Sequence, residues 1–367
     1  MTRILTQLQR IPTSGARAVE SFRIDGRDLL AIPQLALDVP GTPAGMNLGD
    51  SDTEMLILER RDGAFAAVAS VPAPGGEDAE FFMIGDRRFL AAACIRTGSG
   101  PYEYDTRSFV YEWTGDRFEL FQSVWTFAAK QWKFWSIADR HFLGLAQGIA
   151  LPQFDGYNRK SVIYEWDGDQ FVEFQIIPSQ WAYNWHPFEI DGRFFVAHAD
   201  HVTDSVLYAW NGSRYVAHQN LLASSGRAFA HFADDGKHYL VVAGLAEAPA
   251  VMSWDGERFV TSAHLEGLGA RELRVVEKDG RLFLIRVNFI LGTPAEPETA
   301  LTSQVYEWRD GAFATVAEFP TTGGTDVEVV SVNGDIEFAV SNALSADVRF
   351  AAETVLYALS LQDEEPA

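Results

Sequence analysis

The sequence predicts an all-β fold: a seven-bladed β-propeller of four-stranded antiparallel blades, with the N-terminal strand closing the last blade. Three observations predict it. A short string recurs: YEWTGDRF ending at Phe118, YEWDGDQF at Phe171 and YEWRDGAF at Phe313, with looser copies YAWNGSRY at Tyr215, MSWDGERF at Phe259 and LERRDGAF at Phe65. The aromatic ends of the copies, in chain order, stand 53, 53, 44, 44 and 54 residues apart, which is blade spacing. The runs between the turns have strand length, and no segment sustains a helical period.

Within each unit the elements follow in order. An alternating run ends at a tight turn and a hydrophobic run follows, as in FRIDGRDLLA from Phe22, FMIGDRRFLA from Phe82, FEIDGRFFVA from Phe188 and FADDGKHYLV from Phe232. A long variable loop comes next, then a run ending in Y-x-W, then a W-D-G hairpin into the fourth run. Asp-Gly and Asn-Gly supply the positive φ that short antiparallel joints need. First strands fall near Val19, Ala79, Trp132, Trp185, Phe229, Leu273 and Val327, giving seven blades. The last unit stops at VLYALSL without a fourth run, and the first has a spare, ILTQLQRI, whose following IPTSG matches FPTTGG in the repeat. The spare is therefore expected to complete blade seven and remove an open sheet edge. Residues 1–361 form one propeller on this reading, and 362–367 a disordered acidic tail.

Of 367 residues, 51 are acidic and 29 basic, a net charge of −22. A field of that sign disfavours nucleic acid and anionic membrane surfaces as partners. No stretch approaches about 18 consecutive apolar residues, so no membrane span is expected. The single cysteine, Cys94, lies in the apolar run FLAAACI and reads as a buried thiol with no disulfide partner. MTRILTQLQRIPT has no uninterrupted apolar core, so a signal peptide is not expected and a cytoplasmic monomer is.

The YEW-DG-F, IPT-G and F-x-IDG-FLA strings resemble the EPTP (epilepsy-associated, or EAR) repeat of the leucine-rich glioma-inactivated protein family, over nearly the whole chain from Ile4 to Leu361. The resemblance implies a seven-bladed propeller that acts as a protein-interaction module. Some members bind calcium in the central channel through acids on the inner strands.

In such a blade the tight turns lie on one face, and the long loops, here 33–52, 95–107, 147–160, 198–204, 288–302 and 341–352, lie on the other. Loops on a rigid scaffold are where binding usually sits. The segments entering the inner strands align without gaps from Ile11, Val71, Val124, Ile177, Leu221, Leu265 and Phe319. Their seventh column reads Arg17, Glu77, Lys130, Tyr183, Arg227, Arg271 and Thr325. Four cations in an acidic protein should ring the channel mouth, where they can hold a carboxylate or phosphate. The plainer reading is that each neutralises nearby acids or faces water. The eighth column contains Asp78, Asn184, Glu272 and Asp326. No cofactor is required by the sequence, but Asp78, Glu272 and Asp326 are the candidate calcium ligands, with ion pairing to Arg17, Lys133 or Arg274 as the alternative.

Blades three and four depart most from the repeat. Trp125 stands where proline is usual, Trp181 where glycine is usual, and Trp132 and Trp185 where the inner residue is small or branched. For Trp132, Trp135 and Trp185 the expectation is packing between blades. Trp125 and Trp181 are placed in loops, as packing or as a ligand wall. His198, Asp200, His201 and Asp204 contain metal-ligand types at no established spacing. No catalytic motif of the G-x-S-x-G, Walker, H-E-x-x-H or C-x-x-C kind occurs.

Two readings of function follow. In the first, the propeller engages a protein or peptide through its loop-rich face. In the second, a small anionic or aromatic ligand occupies a Trp-lined site at the channel mouth, with Arg17, Arg227 and Arg271 holding the anion and Lys133 or His186 available as acid or base. Sugar binding is disfavoured because the tryptophans are confined to two blades.

Overall fold

The tight turns form where Asp-Gly pairs occur: Asp25, Asp62, Asp191, Asp235, Asp279 and Asp310 take φ between 47° and 53°, each ahead of a glycine with positive φ. A computed structural model describes residues 4–154 and 157–361. Among them, the strands make seven four-stranded sheets. Blade one comprises Glu20–Ile24, Arg27–Ile32, Glu54–Arg61 and Ala64–Pro72. Blade two comprises Gly76–Ile84, Arg87–Cys94, Asp105–Trp113 and Phe118–Phe127. Blade three comprises Gln131–Ile137, Arg140–Ala146, Ser161–Trp166 and Phe171–Ile177, and blade four Ala182–Ile190, Arg193–Asp200, Ser205–Trp210 and Tyr215–Leu222. Blade five comprises Gly226–Asp234, Lys237–Gly244, Ala250–Trp254 and Phe259–His264. Blade six comprises Ala270–Lys278, Arg281–Asn288, Ala300–Arg309 and Ala312–Thr322, with a small hairpin, Leu291–Thr293 and Glu296–Glu298, in its long loop.

Blade seven is built from both ends of the chain. Gly324–Ser331, Ile336–Asn342 and Ala351–Leu359 are completed by Leu5–Ser14, which pairs antiparallel with Ala351–Leu359 from Leu5 opposite Leu359 to Ser14 opposite Ala351. The expected closure is present. The acidic tail expected over 362–367 lies outside the described residues. Among the described residues no helix is long and apolar enough to cross a membrane.

Seven apolar clusters sit between neighbouring blades, for example Trp135, Phe142, Trp185 and Tyr215 between blades three and four, and Phe283, Val327, Phe338 and Tyr357 between blades six and seven. Trp132 and Trp185 are fully buried there, filling the gaps as expected. Polar side chains join the blades at the outer edge. Gln9 donates to the Phe65 carbonyl at 2.7 Å and accepts its N–H at 2.8 Å. Gln122 holds Phe171 in the same way, Gln175 holds Tyr215 and Gln219 holds Phe259. The recurrent YEW glutamates are structural: Arg87 forks onto Glu112 at 2.7 and 2.9 Å, and Arg140 onto Glu165 at 2.6 and 3.0 Å.

The fifth column of the aligned segments is the corner where the chain leaves one blade for the next. Gly15, Gly75, Ala128, Ser225, Gly269 and Gly323 all take positive φ there. At Gly75 a Cβ would lie 2.4 Å from the Arg96 carbonyl oxygen, so only glycine fits. In blade four Trp181 takes this place, and Asp200 secures the altered corner by accepting the N–H groups of Gln180, Trp181, Val202 and Thr203.

Candidate functional site

The inner strand of each blade is an edge strand, and its channel-facing N–H groups have no strand partner. The preceding blade supplies acceptors. In the eighth column, Asp326 accepts from Val19 N–H at 2.8 Å, Asp78 from Trp132 at 2.9 Å and Gln131 from Trp185 at 2.6 Å. In the tenth column, Glu20 accepts from Phe81 at 3.0 Å, Glu80 from Phe134 at 2.9 Å and the His186 Nε2 from His231 at 3.1 Å. In each column three residues thus cap position nine or eleven of the next blade.

These acceptors line a lower cavity of ≈ 300 Å³ on the axis. Burial and neighbouring acids act on its carboxyls: Glu20 is pushed up to about 8 by burial and Glu80, and Glu272 to about 7 by burial and Asp326. Asp78 is raised well above its ordinary value by burial and Glu80. The donor set does not suit calcium. An oxygen of Asp78 and both oxygens of Asp326 accept backbone N–H groups, Glu272 accepts from Leu273 N–H and faces Asn184, and Lys133 and Arg274 stand among them. Among the described residues no group of three or more His, Cys, Asp or Glu is arranged to hold a metal ion.

Lys133 and His186, the candidate acid and base, are both engaged in this layer. Lys133 Nζ is 2.7 Å from Glu80. His186 accepts a backbone N–H at Nε2, and burial with His231 beside it pushes its pKa down to about 3, so it stays neutral. His198 is buried against Ser161 and Asp204 accepts from Asn220, so these two serve structure, while His201 of the same loop lines the long-loop cavity and accepts from Arg227.

Above this layer the long loops turn inward and pack on one another through Leu35, Ile95, Phe127, Phe289, Leu344 and Phe350. They leave a vestibule of ≈ 590 Å³ on the long-loop face. Its walls are apolar, with Leu35, Met46, Ile149, Trp181, Leu245 and Phe289. Its floor is the seventh column. Arg17, Glu77, Lys130, Tyr183 and Arg271 line both cavities, so this ring divides them. Arg227 faces the vestibule.

None of the four cations faces water. Arg17, Lys130, Arg227 and Arg271 are 8%, 4%, 4% and 7% exposed. On the vestibule side Glu77, 3.8 Å from Arg17, is the sole carboxylate against five cations (these four and Arg96) among the described lining residues, while Glu272 in the lower cavity acts on Arg271 and Asp200 acts on Arg227. The Tyr183 ring receives three of the cations, Arg227 at 3.9 Å, Arg271 at 5.0 Å and Lys130 at 5.8 Å from its centroid. Arg96 is bonded through each of its three nitrogens, to Ser51 and to the carbonyls of Asn47 and Leu48. Arg227 donates to His201 Nδ1 at 3.0 Å and to the Gly226 carbonyl at 2.9 Å, and burial holds its pKa down to about 10. Lys130 reaches only the Ala128 carbonyl at 3.4 Å; burial and the three arginines Arg17, Arg271 and Arg96 outweigh Glu77 and push its pKa down to about 7.

The aromatic wall is only partly assembled. Trp181 lines the vestibule, and its indole N–H is buried with no partner among the described residues. Trp125 does not join it: it lies on the outer strand of blade two, 53% exposed, with Arg107 over its ring at 4.6 Å. The second column belongs to the outer strand, which the loop placement of Trp125 overlooked. Asn184 lies below the floor, facing Glu272. Sequence reasoning missed Arg96, Phe289 and the other loop residues that make the walls, because they fall outside the repeat and have no column to align.

The geometry defines a binding propeller, with a closed scaffold and a single loop-built vestibule over the axis among the cavities described here. Comparison with known proteins places it. The EPTP domain matches residues 6–43, 170–211 and 214–255. Each match starts on the outer strand of one blade and ends in the next, so the sequence unit is offset from the blade, as closure by the first strand requires. The thrombospondin-type laminin G domain and EAR repeat-containing protein of Homo sapiens is 35% identical over 96 residues, 26% of this chain and 14% of that protein. Its Mus musculus counterpart is 31% identical over 124 residues, 33% of this chain and 17% of that protein. The matched segments thus span less than a fifth of either relative. The chain is a β-propeller that carries EPTP (EAR) repeats in the matched segments.

Proposed function

We propose that this propeller is a recognition module that receives a projecting segment of a protein or peptide partner in the vestibule of its long-loop face. EPTP propellers are generally protein-interaction modules. The observation that carries the reading is the ≈ 590 Å³ cavity, apolar at its walls and charged at its floor, open where the long loops gather. The opposite face offers short Asp-Gly turns without a comparable recess among the cavities described. The test places a photoreactive amino acid at the vestibule rim, at Gln153 or Pro294, and on the turn face at Asp116. Adducts to one defined partner peptide from the rim positions alone are expected. Adducts from Asp116 at equal yield refute the assignment of the face.

A further inference from the structure

We infer that the floor of the vestibule is a binding site for a single carboxylate on an apolar stem, seated against Arg271, Lys130 and Arg17. The inference deepens the recognition reading and rests on it only for the face from which the ligand arrives.

The argument is one of unmatched buried donors. A buried cation is retained in a fold when a counter-charge or a full set of acceptors surrounds it. Arg96 at the same cavity meets this condition with three partners. Arg271 meets it only in part: it is 7% exposed, lines both cavities, and among the described residues its guanidinium has no hydrogen-bond acceptor, only the face of Tyr183 and the charge of Glu272 in the lower cavity. The Arg17 Nε is buried without a partner, and Glu77 at 3.8 Å is its only counter-charge within ion-pair distance. Lys130 has one long contact to a carbonyl. Three cationic side chains therefore converge on one cavity with donors to spare, and an anion supplies what they lack.

The rest of the molecule narrows the anion. The walls are apolar, so the group bearing the charge must carry an apolar stem of the kind such a volume encloses. The chain as a whole has a net charge of −22, which repels polyanions at long range while the floor attracts a single charge within a Debye length of about 8–10 Å. A monocarboxylate passes both filters. Phosphate esters, with nearly two charges, pass the second less well. The carboxylate has two possible sources, a free organic acid or the C-terminus of a partner peptide ending in an apolar residue.

Binding also moves a proton. Lys130, held down to about 7, is mostly neutral at pH 8, and a carboxylate against it restores the ammonium form. Uptake of a proton per anion bound follows.

The experiment is calorimetry and thermal melting of the full chain with 4-phenylbutyrate, its neutral amide, and a pentapeptide ending in Leu-Phe as free acid or C-terminal amide. Expected is binding of at least one free acid with proton uptake at pH 8, and roughly tenfold or greater weakening for both Arg271→Gln and Lys130→Met. Lys130→Met should also abolish the proton uptake. Both variants relieve like-charge crowding, so their own melting temperatures should not fall. Glu77→Gln removes the competing carboxylate and should tighten binding. Phenylbutyrate bound in preference assigns a free acid; the peptide acid in preference assigns a chain terminus. The inference is overturned by amides that bind as well as acids, by both variants retaining parental affinity, or by no acid binding up to about 5 mM. A partner crosslinked from the rim with equal yield in both variants would leave the recognition module standing and remove the carboxylate.

Discussion

The seventh and eighth columns sit one residue apart on the same inner strands, and they treat buried charge in opposite ways. Asp78 and Asp326 point at backbone N–H groups of the next blade, 2.9 and 2.8 Å away, and hold the ring together at its axis. Arg271 and Lys130, one layer up, have no such duty. The lesson is that burial of charge does not by itself mark a site. A buried charge whose partners are all internal belongs to the architecture, and one whose partners are missing points outward, to a ligand.

The division of labour between the two columns is open to measurement. The largest effect is expected on removing its frame: deleting residues 4–14 takes away the fourth strand of blade seven and the Gln9 clamp on Phe65. The melting temperature should fall on the order of 10 °C or more, with association through the exposed edge seen by gel filtration. Unchanged melting would mean that the ring is not closed in this way. Next come the caps. Asp326→Ala and Asp78→Ala should each cost about 2 kcal/mol in urea unfolding, and Gln131→Leu about 1 kcal/mol, because each strands a backbone N–H at the channel. Arg271→Gln should change stability by no more than about 0.5 kcal/mol while weakening carboxylate binding roughly tenfold or more. If the caps prove neutral and Arg271 indispensable to stability, the division of labour is reversed.

A smaller effect separates the layers by pH. Glu20 and Glu272 titrate near 8 and 7 in the folded chain and at an ordinary 4.5 unfolded, so the folded state binds more protons in between. Above about 6.5, where the buried His186, His198, His201 and His231 (held down to about 3 or 4) are neutral both folded and unfolded, stability should therefore fall as pH rises to about 8. Lys130 titrates near 7 folded and at an ordinary 10.5 unfolded, so there the unfolded chain binds more protons and stability should rise from about 7 to 10.5. Urea midpoints across this range should pass through a shallow minimum near pH 7 to 8. Lys130→Met should flatten the alkaline limb and Glu272→Gln the acid limb. The smallest effect is reserved for Trp125→Ala, within about 0.5 kcal/mol and silent in ligand binding, since that ring is 53% exposed on an outer strand.

The fold was legible because its determinants are local. Asp25-Gly26 or Asp191-Gly192 sets a turn from two adjacent residues, and turn chemistry repeating at blade spacing implies the ring. The seventh column was legible for a related reason: aligned repeats put aligned residues at one height, so Arg17, Lys130, Arg227 and Arg271 were bound to converge. What remained hidden was long-range. That Asp78 reaches Trp132, 54 residues on, or Asp326 reaches Val19, 307 residues back, depends on how blades pack, which no local pattern encodes. The same acids therefore read as metal ligands. Trp125 was misplaced because a proline position at a strand end reads as loop until register is known. Lys133 drew attention as a reactive amine, whereas Lys130 lacks the acid partner that Lys133 finds in Glu80.

One feature of the chain bears on how the molecule assembles. Leu5–Ser14 is made before the rest of the propeller but is used last, since its pairing partner, Ala351–Leu359, is made more than 300 residues later. Until then the growing propeller carries an unmatched strand ahead of blade one and, as blade seven emerges, a three-stranded sheet behind blade six. Joining residues more than 300 positions apart is the slowest class of contact to form. The interval before it closes is when this protein is most exposed to edge-to-edge association with its own copies.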